Sequence, residues 1–253
     1  GGADLRFYVV IALIGTVIPN SASYAAITHL PAGVVTILIS TVPLMALPIA
    51  LAWKMDRVSP GRLAGLACGL GGVILIAAPE ASLPDAAMAV FIPLALVAPF
   101  FYAVEGTVVA RWGTGRMDAL QLLTGASVVG MIIALPLALA SGQWINPLVG
   151  PWAAPEFALV AAAMIHAGAY TGYVGLVGRA GAVFAAQVSY LVTGFGVAWS
   201  ILLLSESYSG HVWAALALMM TGIFMVQPRP RIALAPVSGI GETALDEHRG
   251  GPR

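Results

Sequence analysis

Long apolar runs broken by short polar turns set the pattern of this chain. From residue 7 to residue 53 there is no Asp, Glu, Lys or Arg. Cutting at charges, Pro and Gly gives eight spans, at about 7–28, 32–53, 62–79, 87–110, 119–141, 156–177, 181–204 and 210–227. Each is about 17–24 residues, the length that crosses a hydrocarbon core of about 30 Å as a helix. No segment alternates strictly between apolar and polar in the manner of a barrel strand. The pattern predicts an all-α polytopic membrane protein. Three tight turns, HLPAG at 29–33, DRVSPGR at 56–62 and WGTGRM at 112–117, separate spans. The longest loop, SGQWINPLVGPWAAPE at 141–156, carries two Trp suited to an interface. Residues 228–253 are polar and rich in Pro and Gly, and are expected to form a disordered cytoplasmic tail.

Charge then orients the spans. If they alternate in direction, one side holds Arg6, Lys54, Arg57, Arg62, Arg111, Arg116, Arg179 and the four Arg of the tail, which accounts for all 11 basic residues. The other side holds Glu80, Asp85, Glu156 and Glu206 and no basic residue. The positive-inside rule makes the basic side cytoplasmic, with both chain ends on it, in a plasma or inner membrane. Composition agrees: 60% of residues are hydrophobic and 9% charged, against about 25% charged in soluble domains. A soluble enzyme is excluded, and a net charge of zero gives no reason to expect nucleic acid as a partner. The lone Cys68 can form neither an intrachain disulfide nor a metal cluster, so no metal or cofactor is expected. The expected partners are the lipid bilayer and a small molecule, with protons and a homodimer as further candidates.

The chain also repeats itself. Residues 24–76 align with 173–226: Tyr24 with Tyr173, Ser40 with Ser189, Asp56 with Glu206, Ser59 with Ser209 and Gly72 with Gly222. The offset holds five spans, an odd number, so two copies in one chain must lie in opposite topologies. Such inverted repeats place a substrate site between them near the midplane. The second copy, 81–227, has five spans; the first, 1–80, has three. Ten spans in two five-helix repeats are therefore expected, with two preceding residue 7.

These residues resemble the EamA-type branch of the drug/metabolite transporter (DMT) superfamily. The resemblance rests on Ala32–Gly33, Pro43, MDRVSPGR and GLACGLGGVILI in the first copy. In the second it rests on Ala180–Gly181, LSESYSGH and ALMMTGIFMV. Two departures stand out: Asp56 replaces the loop Glu of the family pattern, and the second copy lacks a Pro matching Pro43. The resemblance implies ten helices and transport of small metabolites, amino acids or drugs, often outward as efflux and often driven by an ion gradient.

Polar residues inside the spans are the candidate chemistry. Glu105 is the one acid well inside a span, about 9 Å from Arg111 along the helix at 1.5 Å per residue. An acid there should face the bundle or a water-filled cavity, where it binds a proton or a cationic substrate group, or serves as a structural hydrogen-bond partner. Arg111, six positions on, lies on another helix face. Tyr102 shares the face of Glu105. His166, Tyr170 and Tyr173 form a second polar face, and Thr16, Asn20, Ser23 and Tyr24 form its counterpart in the first copy. Gln187, Ser189 and Tyr190 form a weaker third group. Each could equally be interhelical hydrogen bonding that fixes packing. Gly61, Gly65, Gly69 and Gly72 predict close helix approach, within the monomer or in a dimer. Pro19, Pro43, Pro48, Pro93, Pro99 and Pro136 predict kinks. The alternatives to a transporter are a non-transporting scaffold or receptor, and an intramembrane enzyme, which neither an HExxH nor a GxSG motif supports.

Overall fold

A computed structural model describes residues 2–77, 83, 85–112, 117, 119–142, 144, 151–180 and 188–226. The tail at 228–253 and residues 143 and 145–150 of the 141–156 loop lie outside them. The described residues form eight helical spans and no strand. Span 1 is α1 (Gly2–Ala12), a π-helical turn (Leu13–Val17) and α2 (Ile18–Ile27); span 2 is α3 (Ala32–Ile39) and α4 (Val42–Ala52). Span 3 is α5 (Pro60–Ala77), and span 4 is a 3₁₀ turn (Ala86–Phe91) leading into α6 (Ile92–Trp112). Spans 5 to 8 are α7 (Ala119–Ala140), α8 (Ala154–Ala180), α9 (Val188–Leu204) and α10 (Gly210–Val226). Five of the spans are long and apolar enough to cross a membrane. Large apolar side chains such as Leu70, Met131, Ile132 and Ile165 stand exposed on mid-span faces, as lipid contact requires.

The first two spans are not continuous α-helices, and proline explains both interruptions. Pro19 has no N–H for the carbonyl of Gly15, and the backbone before it widens into the π turn. Pro43 has none for the carbonyl of Ile39, and span 2 breaks at Ser40–Thr41. At that break the Ser40 hydroxyl donates to the Ile37 carbonyl and the Thr41 hydroxyl to the Leu38 carbonyl, each at 2.6 Å, beside the backbone N–H bonds that those carbonyls accept from Ser40 and Thr41. Pro48, Pro99 and Pro136 sit inside helices that continue through them.

Small residues set the main seam. Cβ atoms at Gly65 and Gly72 would meet the carbonyls of Gly222 and Ala215 at 2.8 and 3.0 Å, so α5 and α10 run antiparallel with backbones in contact. The glycine stripe thus packs within the chain, although Gly61 faces open space. Val34, Ile37, Leu38, Ile76, Val212 and Met219 fill the core beside this seam. The turns sort to two ends. At one, Arg111 donates to the Trp53 carbonyl at 2.9 Å and the Trp53 and Trp112 rings lie 5.3 Å apart. At the other, His29 stacks on Phe91 at 3.9 Å, and Glu206 reaches the start of α3.

Candidate functional site

The π turn supplies the seat for the intramembrane acid. A side chain at Gly15 would overlap the Glu105 carboxylate, so only glycine lets span 1 approach that carboxylate from α6. Among the described residues Glu105 has neither a hydrogen-bond nor an ion-pair partner. Arg111, the nearest cation in sequence, is committed to the Trp53 carbonyl and lies over the Trp53 ring, 5.9 Å from its centroid. An unpaired acid between helices is expensive to hold charged in a membrane unless water or a cation reaches it.

One turn back on α6, the Tyr102 hydroxyl donates to Asn20 Oδ1 of α2 at 2.9 Å, joining spans 4 and 1 beside Glu105. Asn20 also lines a groove of about 850 Å³ between span 1 and α7, together with Thr16, Ser21, Tyr24 and Ser127. Tyr102 lines a second cavity, of about 350 Å³, with Pro43, Ala50, Asp56 and Gly106. The Asn20–Tyr102 bond therefore stands between a groove that reaches Ser141 and a cavity that reaches Asp56. Asp56 itself pairs with Arg62.

The structure thus brings together Glu105, Tyr102 and Asn20, with Tyr24 on the groove wall. Ser23 departs from its expected face: it is buried, with its hydroxyl unpartnered among the described residues, while Ser21 takes the place beside Asn20. Thr16, Asn20 and Tyr24 keep their row, and the groove opens on the Ser21 side of it, which leaves Ser23, on the other side of the same helix, buried. His166 lies on an exposed stretch of α8, apart from the Glu105 group. The side chains of Tyr170, Tyr173, Ser189 and Tyr190, and all of Gln187, lie outside the described residues. Gly15 was not among the residues singled out from the sequence, although the run Gly15-Thr-Val-Ile-Pro19 carried a signal in its proline four positions on.

A second polar cluster lies outside the spans, in the Ser205–Ser209 turn. Glu206 accepts from the backbone N–H groups of Ala32 at 2.8 Å and Gly33 at 3.1 Å. Tyr208 donates to Glu206 and lies 2.7 Å from the Ser200 hydroxyl. Burial pushes the Tyr208 phenol up to about 12, and its bond to Glu206 adds to the shift, so it remains a neutral donor at physiological pH.

The sequence profile of the EamA-like transporter family matches this chain over residues 2–78 and 90–227. The chain belongs to the EamA-like transporter family. It is also similar to an uncharacterized transporter, YvbV, of Bacillus subtilis (strain 168), at 24% identity over 240 residues. That alignment covers 94% of this chain and 76% of the relative. Family membership and the apolar helices together make this an integral membrane transporter, and the bilayer and a small-molecule substrate are its natural partners.

Proposed function

We propose that this EamA-like transporter is a secondary exporter of small metabolites, amino acids or drugs. It works by alternating access across the plasma membrane, with Glu105 as the group that exchanges a proton or a cationic substrate group. The observation that carries this reading is the Glu105 carboxylate, without a partner among the described residues and seated on Gly15 beside the Tyr102–Asn20 bond. A structural acid would be held by a donor or a cation. On this reading the chain is not an enzyme, the basic end is cytoplasmic, and residues 1–80 and 81–227 are repeats of opposite topology. The two-segment family match supports the repeats. So does the α5–α10 seam: an offset of 150 residues carries Gly65 to Ala215 and Gly72 to Gly222, so the contacts Gly65–Gly222 and Gly72–Ala215 exchange with each other.

The test is efflux-dependent tolerance. Cells expressing the protein from its natural gene are challenged with toxic amino acids, amines and drugs, beside cells carrying Glu105→Gln. The amide keeps the shape but holds neither charge nor an exchangeable acidic proton. Tolerance to at least one compound class should fall to that of cells without the gene. Equal tolerance at equal protein levels would remove Glu105 from the mechanism.

A further inference from the structure

Helix α3 starts without a cap of its own. Pro31 precedes it and offers no side-chain acceptor, so the first N–H groups need a partner from elsewhere. That partner is Glu206, 174 residues from Ala32 along the chain, in the turn between spans 7 and 8. The negative carboxylate sits at the positive end of the helix, and its bonds are charge-assisted.

Below this cap the contact between span 2 and span 7 is made by small groups. A Cβ at Gly33 would lie 2.7 Å from the Ser200 hydroxyl, and Gly196 of α9 packs against Thr36. Toward the opposite end span 2 instead lines the 350 Å³ cavity, through Val42, Pro43, Ala46 and Ala50. Spans 2 and 7 are therefore joined at the Glu206 end by polar bonds that water can replace. Deeper in the membrane, Val34, Ile37 and Leu38 of span 2 share the buried core with Val197 of span 7, so the polar bonds are the outermost part of the contact. Asp56, aligned with Glu206 in the duplication, pairs with Arg62 inside its own turn at the other end.

We propose that Glu206 is a gate latch: its bonds to Ala32 and Gly33 close the way between spans 2 and 7 at the end opposite the basic turns, and their release opens it. Tyr208 and Ser200 hold the carboxylate in place for this contact. The latch depends on the alternating-access reading for its purpose, but its opening can be measured without any substrate.

Two measurements on the purified full-length protein in detergent test it. In the unmodified protein, hydrogen–deuterium exchange should release the amides of residues 32–34 well before those of the α5–α10 seam. Exchange of 32–34 only together with that seam would make Glu206 a fixed structural cap and overturn the proposal. In the second, Cys68→Ala removes the native thiol and Thr36→Cys reports access between spans 2 and 7. Adding Glu206→Ala should speed alkylation by N-ethylmaleimide about tenfold, the factor expected for loss of a charge-assisted hydrogen bond. An unchanged rate in folded protein would overturn the latch. If Glu206→Ala does not fold, the exchange measurement decides alone. Failure of Glu105→Gln to affect tolerance would leave both latch measurements standing, so the two ideas fail separately.

Discussion

Glu105 and Gly15 form a unit in which neither residue explains itself. The acid is legible in the sequence because nothing else in its span is charged. The glycine is not, because its role is an absence: any Cβ would occupy the volume of the carboxylate. Gly15→Ala should therefore displace Glu105 and destabilise the protein by about 1–3 kcal/mol, the usual cost of overpacking. A thermal melt reads that cost. The double variant Gly15→Ala/Glu105→Ala should melt higher than Gly15→Ala alone, since it removes the group in collision, and additive losses would show that the two do not touch. Asn20 and Tyr102 were legible singly as polar residues in apolar spans. Their pairing was not, because 82 residues separate them and only the packing of α2 on α6 fixes which groups meet.

At the scale of elements, proline and glycine carry most of the information. Pro19 and Pro43 each remove a donor, and the backbone answers once with a π turn and once with a break. The residue type announces an interruption; the neighbours decide its form. The glycine stripe of α5 divides in the same way. Gly65, Gly69 and Gly72 meet other backbone or side-chain atoms, whereas Gly61 meets nothing within 4 Å. Gly222→Leu should force α10 off α5, because even a Cβ there would lie 2.6 Å from the Gly65 carbonyl. Its cost should be at least about 1–3 kcal/mol. Gly61→Ala should be neutral or stabilising by up to about 1 kcal/mol, from helix propensity alone. Unfolding in mixed detergent micelles distinguishes them, and equal losses would place the seam elsewhere.

For the whole molecule, the alternation of basic and acidic turns is both a sequence pattern and a constraint on transport. The Arg111–Trp53 contact gathers two basic turns at one end, and the Glu206–Ala32 contact gathers two turns without Lys or Arg at the far end. In a Cys68→Ala background, Ser207→Cys should react with an impermeant maleimide in intact cells, and Val58→Cys only in permeabilised cells. Both positions are exposed, so reaction of both from outside would mean that the two turns share a side. The sequence by itself determined the all-helical membrane architecture, the number and alternation of spans, the family motifs and the anomalous acid. Those properties follow from local hydropathy, charge and spacing, which each segment carries within itself. Only the tertiary structure decided that Gly15 seats Glu105, that Tyr102 reaches Asn20, that Ser23 turns inward and that Glu206 caps α3. Each of these depends on which helix faces are brought together across many residues, which no segment carries within itself.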